Sequence, residues 1–260
     1  MIKQRKPIEP LMAYIDELWY IDEAVTVMSD IIMPTGQIHI VFNLGDSYKL
    51  VVDEHEFSAP DYALFGQFKN PIEVRYDGHH IRQLGIAFRP SAFLMFFGTS
   101  HSLCLNTIVD CNSLTDHSLM SALVEIAKKI HNEKEINGFD SIESLFLNYV
   151  CKDTKIKLLD SMITFIEKRK GNIDIRDMAK TFGYSISSIE RLFKKYFGLT
   201  PKAYSDIIRF KQSIISEDPK SFFYDQSHFI KSCKKYTLKS PKELGSVSEI
   251  TLKYMLKELS

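Results

Sequence analysis

The chain has 260 residues, which is enough for two domains that each bury a core of their own. Apolar residues make up 45% of the sequence and charged residues 25%, as in an ordinary soluble globular protein. No apolar run approaches the length needed to cross a bilayer, which argues against a membrane-spanning protein.

The formal net charge of zero conceals an asymmetry between the two ends of the chain. Residues 1–154 contain 12 Lys and Arg against 21 Asp and Glu, a net charge of −9. Residues 155–260 contain 21 against 12, a net charge of +9. This division favours a nucleic-acid-binding module joined to a module of another kind, and the alternative is chance clustering on solvated faces.

The cysteines and the N-terminal segment indicate a cytosolic protein. Cys104, Cys111, Cys151 and Cys233 are widely spaced and form no CxxC pair, so they predict reduced, largely buried thiols and neither a disulfide framework nor a zinc site. The segment 1–20 begins with basic residues, but acidic residues follow at once, so it is not expected to be a secretory signal.

The N-terminal part is predicted to be rich in strands. Residues 37–44 alternate apolar and polar side chains, and a turn at 45–47 predicts that residues 48–52 form the hairpin partner. Trp19 and Tyr20 also suit a strand. Further strands are predicted at 62–65, 72–76 and 83–88. Many short strands separated by turns favour an antiparallel sandwich or an open barrel.

An enzyme or a metal site is not predicted in this part. His39 lies on the clearest strand and is expected on its polar face or at a domain contact, while His55, His79 and His80 lie elsewhere. None has a neighbour at ligand spacing, and residues 53–55 read as a turn. Phosphate loops, nucleophile elbows and HExxH motifs are absent from the sequence, so neither a cofactor nor a metal is expected.

After Arg89 and Pro90 the pattern becomes helical. Helices are predicted at 91–97, 112–130, 142–150 and 156–169. The charge changes sign near residues 152–154, which we take as the main domain boundary.

The stretch 174–204 predicts two short helices joined by a tight turn. The first covers residues 175–181, Gly183 can adopt the left-handed conformation that ends it, and Ser185 is a good N-cap for the second helix. The second helix has one apolar face and one polar, basic face. This arrangement is the helix-turn-helix design, and the alternative is an ordinary pair of core helices.

This stretch resembles the first helix-turn-helix of the AraC/XylS family of bacterial transcription regulators. The matching positions are Gly171, Ile175, Met178, Ala179, Gly183, Ser185, 191–195, Phe197, Gly198, Thr200, Pro201, Tyr204 and Arg209. The N-terminal part is similar to the sensor-like domain of a subset of the same family, at MPTGQIHIVFNLGD (33–46), LFGQFKNPIEV (64–74) and LGIAFRPSAFLMFFG (84–98). The resemblance implies a cupin-like β-rich domain followed by helices.

The second helix-turn-helix of the family is shortened in this chain. Residues 223–236 resemble the second recognition helix, and 204–215 form the natural connecting helix. Only SEDPKSF (216–222) lies between them, and its proline obstructs a helix, so the supporting helix is expected to be missing or collapsed. Phe222, Phe223, Phe229 and Tyr236 would then lose packing surface, and a helix at 246–260 is predicted to cover them.

Candidate DNA contacts follow from the polar faces of the two recognition helices. Base contacts are predicted from Ser187, Glu190, Arg191, Gln226, Ser227 and Lys231. Phosphate contacts are predicted from Lys180, Lys194, Lys195, Lys234 and Lys235. For each of these side chains the alternative is a solvated surface residue.

Together these features predict an α+β multidomain chain. An antiparallel β-rich, cupin-like sandwich (1–110) is followed by a helical connector (111–154), an all-α helix-turn-helix domain (155–245) and a C-terminal helix (246–260). The predicted function is a cytoplasmic, sequence-specific transcription regulator that binds double-stranded DNA. Its N-terminal domain would sense a small molecule or mediate homodimerisation. The alternative is a degenerate relative with weakened DNA binding that acts as a ligand-binding or protein-interaction module.

Overall fold

The computed structural model describes residues 1–24, 29–97, 105–114, 118–133, 138–150 and 154–244. In these residues ten strands form two antiparallel sheets: β1 (Ile2–Arg5), β2 (Ile15–Ala24), β3 (Ser29–Ile32), β4 (Ile38–Asn43), β5 (Tyr48–Val52), β6 (His55–Ser58), β7 (Tyr62–Phe65), β8 (Ile72–Tyr76), β9 (His80–Phe88) and β10 (Ile108–Asp110). The strand order is β1-β2-β9-β4-β7-β10 in the larger sheet and β3-β8-β5-β6 in the smaller one.

Eight α-helices occur in the same ranges. They are α1 (Phe93–Phe97), α2 (Ser118–Glu133), α3 (Gly138–Leu147), α4 (Thr154–Lys168), α5 (Ile175–Phe182), α6 (Ile186–Phe197), α7 (Pro201–Ile214) and α8 (Gln226–Thr237). None of the described helices is both long and apolar enough to span a membrane. The helix predicted at 246–260 lies outside the described residues.

The larger sheet is covered on both faces, which explains its apolar strands. Ile38, Ile40 and Phe42 of β4 lie in a core cluster with residues of α2 and α3, whereas Val41 packs in a cluster with the smaller sheet. The N-terminal part is therefore a β-sandwich with helices against its larger sheet. The predicted combination of an antiparallel β-rich part with a helical C-terminal part is confirmed.

The predicted hairpin between 37–44 and 48–52 is wrong. β4 pairs with β7 and β9 in the larger sheet, but β5 pairs with β6 and β8 in the smaller one. The chain changes sheet at the turn because Tyr48 and Leu50 bury their side chains in the cluster between the two sheets. The residues at 53–54 do form a turn, with φ of 47° and 68°.

Strands β1, β3, β6 and β10 were not expected from the sequence. Each has only three or four residues, and the side chains of β6 are all exposed, so there is little apolar periodicity to detect. The helix predicted at 112–130 begins at Ser118, after a 3₁₀ turn at Cys111–Leu114, and the helix predicted at 142–150 spans Gly138–Leu147.

The two halves of the chain share an interface. Ile31 and Met33 of the β-sandwich pack in the same apolar cluster as α4 to α8. Beside it, Arg89 donates from Nε to Asp160 Oδ1 (2.6 Å), from Nη1 to Asp16 Oδ1 (3.0 Å) and from Nη2 to Glu167 Oε2 (3.3 Å). One guanidinium thus ties β2 to α4.

Candidate nucleic-acid interface

The helix-turn-helix at 175–197 is fixed by local hydrogen bonds at its ends. Asp174 caps α5 by accepting from the backbone N of Arg176 at 2.7 Å. Gly183 ends α5 with φ of 71°, a left-handed value that costs a residue with a Cβ about 1–2 kcal/mol. Ser185 caps α6 through its Oγ, which accepts from the backbone N of Ser188 at 3.1 Å. The capping roles predicted for Gly183 and Ser185 are confirmed.

The apolar face of α6 anchors it in the C-terminal core. Ile189, Phe193 and Phe197 are buried. The Phe193 ring centroid lies 4.8 Å from that of Phe197 and 6.3 Å from that of Tyr204 in α7, both with edge-on geometry. This packing fixes which face of α6 meets solvent.

The opposite face of α6 forms a continuous polar stripe. Its members are Ser187, Glu190, Arg191, Lys194 and Lys195, and all of them are exposed. Their spacing of i, i+3, i+4, i+7 and i+8 places them on one side of the helix. Lys180 is exposed on α5. The stripe carries three cations and one carboxylate, so its charge suits a polyanion.

The second unit is shortened as the sequence predicts. A single 3₁₀ turn, Pro219–Phe222, stands where a supporting helix would be, but α8 forms and is capped by Asp225, which accepts from the backbone N of His228 at 2.7 Å. The predicted contact residues of α8 are all exposed: Gln226, Ser227, Lys231, Lys234 and Lys235.

The loss of packing surface expected for four aromatic residues around α8 leaves none of them fully exposed. Phe229 and Tyr236 are buried, and Phe222 and Phe223 are half-buried. The Phe229 ring lies 5.3 Å from that of Phe223, and the Tyr236 ring lies 4.9 Å from that of Phe210. Phe210 of the connecting helix α7 and Phe223, just before α8, therefore supply part of the packing surface of these rings.

Three exposed side chains next to α6 and α8 were not singled out from the sequence. Tyr184 and Ile186 precede and begin α6 and are 40% and 41% exposed, and Tyr224, just before α8, is 95% exposed. Apolar groups at such positions can contact thymine methyls, and tyrosine hydroxyls can bond phosphates. The signal available in the sequence was their place next to the two N-caps.

A second candidate site is a cavity of about 140 Å³ between the two sheets of the sandwich. The residues around it come from β2, β3, β4, β5, β7, β8 and β9 and from the loops 33–37 and 66–68. His39 points into it, with Nε2 3.3 Å from Thr35 Oγ1. Over the described ranges no group of three or more His, Cys, Asp or Glu could hold a metal ion.

His39 makes the stability of the fold sensitive to acid. Burial lowers the pKa of His39 to about 4, the charge of Lys211 acts in the same direction, and Asp16 opposes both. Between pH 6.5 and 4 the unfolded chain therefore binds a proton that the native chain does not. We expect the free energy of unfolding to decrease as the pH is lowered through this window. His39 contributes up to about 1.4 kcal/mol per pH unit to that slope.

Denaturant melts from pH 7.5 to 4 measure this slope. H39Q should flatten it, and H55Q, which changes an exposed histidine of β6, should leave it unchanged. Equal slopes for H39Q and the parent chain would contradict the assignment to His39.

Comparison with protein families supports the assignment of a helix-turn-helix to α5 and α6. Residues 168–204 match the model for bacterial regulatory helix-turn-helix proteins of the AraC family, and residues 3–110 match a domain of unknown function, DUF6597. The predicted AraC resemblance is confirmed, and the chain carries an AraC-type helix-turn-helix, a DNA-binding module of transcription regulators. A comparison with curated protein sequences finds no match.

Solved structures share the fold. An apo variant of ToxT from Vibrio cholerae superposes with a TM-score of 0.52 at 13% identity, covering 88% of this chain and 97% of that one. Wild-type ToxT from Vibrio cholerae with a bound unsaturated fatty acid gives 0.50 at 13% identity, covering 94% and 98%. At such identities the likeness shows the fold, a β-rich N-terminal part followed by helices.

Proposed function

We propose that the protein is a sequence-specific DNA-binding transcription regulator. The observation that carries this proposal is the exposed stripe of α6, which lies on a helix fixed at its N-terminus by a cap and along its length by buried aromatics. The stripe lies within the segment that matches the AraC helix-turn-helix. A polar, cationic helix face held rigidly against a core is what insertion into a major groove requires.

The proposed contacts divide by chemistry. Arg191 can bond guanine O6 and N7 bidentately, Glu190 can accept from cytosine N4, and Ser187 can bond either kind of base edge. In α8 we assign base contacts to Gln226, Ser227 and Lys231. Phosphate contacts are assigned to Lys180, Lys194, Lys195, Lys234 and Lys235, which would give salt-dependent affinity without sequence preference.

The N-terminal sandwich, which we propose to be cupin-like, would control this activity. We assign it residues 1–110, followed by a connector (111–154), the DNA-binding domain (155–245) and the tail (246–260). The sandwich cavity is large enough for a small ligand, and ToxT is a fold relative with a fatty acid bound. Ligand binding would shift the population of the arrangements of the chain that can bind DNA. We place the protein in a bacterial cytoplasm, where it would act as a monomer or a homodimer.

DNA binding is tested by fluorescence anisotropy with duplex DNA from the region upstream of the gene itself. We expect affinity that falls steeply between about 50 and 200 mM salt. R191A should weaken specific binding by about fivefold or more, because one bidentate base contact is worth about 1–3 kcal/mol.

R75A is the matched control, since Arg75 is exposed on the smaller sheet, and it should bind like the parent chain. Affinity that does not depend on salt, or an R191A variant that binds like the parent, would refute the proposal.

The degenerate-relative alternative is favoured by the shortened second unit. K231A in α8 separates the two readings, because a protein that uses both units should lose specific affinity and one that uses only α6 should not. If the protein binds no DNA duplex even at low salt, a ligand-binding or protein-interaction role remains. Chromatin immunoprecipitation would test DNA binding in cells.

A further inference from the structure

A separate pocket, of about 190 Å³, lies between α7 and α8. Its lining comes from one turn of α7 and one face of α8: Asp206, Arg209, His228, Lys231, Ser232, Lys235 and Tyr236. The α8 members are spaced i, i+3, i+4, i+7 and i+8, so they share one side of the helix. The pocket is far larger than the roughly 10–15 Å³ that one water requires, so it has room for a small polyatomic group.

The charge of this pocket is predominantly positive. Arg209, Lys231 and Lys235 are cations at neutral pH, and the only carboxylate in the lining is Asp206. Two cations already hold that carboxylate, because Lys202 Nζ lies 3.0 Å from its Oδ1 and Arg209 Nη2 donates to the same oxygen. The two exposed lysines of α8 form no ion pair with a described residue, so an anion in the pocket would supply their counter-charge.

Arg209 is the most buried cation of the pocket, with a side chain that is 13% exposed. Its Nε is buried and has no hydrogen-bond partner among the described residues. A guanidinium carries five N–H donors, so Arg209 has donors beyond the one that Asp206 takes. The ring of Phe223 supports this wall, with its centroid 5.7 Å from the guanidinium carbon and 5.3 Å from the His228 ring.

Neutral donors complete the lining. Tyr236 Oη accepts from Lys235 Nζ at 2.9 Å, which leaves the phenol proton to be donated. Burial raises the pKa of Tyr236, so that proton is present at neutral pH. Ser232 adds a hydroxyl group. Donors that approach from two helices suit the tetrahedral oxygens of a phosphate better than the planar pair of a carboxylate, and arginine can bond a phosphate bidentately.

We propose that the pocket binds a phosphate group, held between Arg209 of α7 and both His228 and Lys235 of α8. The group can belong to the DNA backbone, in which case the site deepens the proposed function and rests on it, or to a free phosphate compound. Lys231 keeps its assigned base contact and adds its charge.

A backbone phosphate in this pocket would give the shortened second unit a new way to hold DNA. In a complete helix-turn-helix the first helix crosses the DNA backbone. Here a single 3₁₀ turn, Pro219–Phe222, stands in its place, so α7 and α8 together would supply the missing backbone contact.

Calorimetric titration of the full chain with inorganic phosphate, at constant ionic strength in chloride, tests the pocket without DNA. We expect saturable binding that R209Q weakens by about tenfold or more, because hydrogen bonds to charged groups are strong. A thermal melt reports whether R209Q is folded. K235Q changes an exposed side chain and should weaken binding by about fivefold or more. K234Q removes the same charge from the next position, outside the pocket lining, and should bind phosphate like the parent chain.

Titration with duplex DNA at several salt concentrations identifies the source of the phosphate group. If the DNA backbone fills the pocket, R209Q and K235Q should each lower the slope of log affinity against log salt by about 0.9. Inorganic phosphate in place of chloride should then compete with DNA. K234Q, which is also assigned a phosphate contact, should lower the slope but leave this competition intact.

The outcomes separate the phosphate site from the broader function. Phosphate binding without competition assigns the pocket to a free phosphate compound. No saturation with phosphate, equal weakening by K234Q and K235Q, or a folded R209Q that binds phosphate like the parent chain would overturn the proposal. Sequence-specific binding is judged by R191A and the phosphate titration contains no DNA, so either proposal can fail while the other stands.

Discussion

Replacing Arg89 with methionine is expected to lower the free energy of unfolding by about 3 kcal/mol. Removing one partner from a buried ion pair typically costs about 3–5 kcal/mol, because the remaining charge stays desolvated. Arg89 is 14% exposed, and its partners Asp16, Asp160 and Glu167 are 16%, 28% and 33% exposed. Their partial access to water places the expected loss near the lower end of that range.

The electrostatics of this cluster show why the guanidinium matters. Burial opposes the charge of Arg89, but Asp16, Glu167 and Asp160 outweigh that effect and raise its pKa. Burial likewise raises the pKa of Glu167, and Arg89 only partly offsets it. Without Arg89 the pKa of Glu167 should rise further above its unfolded value. The deficit of R89M should therefore be largest at neutral pH and shrink as the pH falls and the carboxyl group takes up a proton.

Denaturant unfolding of R89M and of R75M at pH 7.5 and 5 measures these effects. Arg75 also bonds two carboxylates, Glu56 and Glu73, but it is half exposed on the surface of the smaller sheet, so R75M should cost much less than R89M. Equal losses for the two variants would show that the Arg89 cluster does not hold the halves together.

Local sequence signals were sufficient for the helix-turn-helix. The caps at Ser185 and Gly183 depend on bonds to residues a few positions away, and the apolar face of α6 follows from a period of 3.6 residues. The shortened second unit was also readable, because a proline in a seven-residue segment leaves no room for a helix. The strands β5, β7 and β8 were predicted with the bounds that the structure gives.

Contacts between distant residues could not be read in the same way. Arg89 is separated from Asp160, Asp16 and Glu167 by 71, 73 and 78 positions, so no local pattern indicates the cluster. The placement of His39 shows a subtler limit. Alternation along β4 correctly put it opposite Ile38 and Ile40, but periodicity does not say what covers that face. The covering layer is the smaller sheet, and so the face expected to be polar lines a cavity.

Replacing Gly36 with alanine is the second change expected to have a large effect, a loss of about 2–5 kcal/mol in the free energy of unfolding. Gly36 has φ of 78°, which costs about 1–2 kcal/mol with a Cβ. A Cβ there would lie 3.0 Å from Tyr204 Cε2 and 3.5 Å from Ile208 Cδ1 in α7, and crowding a packed site typically costs about 1–3 kcal/mol.

The position of Gly36 gives this strain a functional consequence. Thr35 and Gln37, on either side of it, line the cavity, and Gln67 Nε2 donates to the Gly36 carbonyl at 2.9 Å. Tyr204 is the last residue of the segment that matches the AraC model, and its ring packs against Phe193 of α6. The loop 33–37 thus connects the cavity wall to Tyr204, whose ring packs against the proposed recognition helix. G36A should therefore change DNA affinity as well as stability.

Gly183 supplies a matched control for the cost of placing a residue with a Cβ in a left-handed backbone conformation. It has φ of 71°, close to that of Gly36, but a Cβ there would meet nothing within 4 Å, so G183A should cost only the left-handed penalty of about 1–2 kcal/mol. The rest of the stability loss in G36A is expected to come from crowding against Tyr204. A double-mutant cycle with Y204L, which removes the ring, measures that contribution. A coupling energy of at least about 1 kcal/mol is expected, because directly packed residues are not additive. If the two changes are additive, Gly36 and Tyr204 do not communicate, and a ligand in the cavity would need another route to the DNA-binding helices.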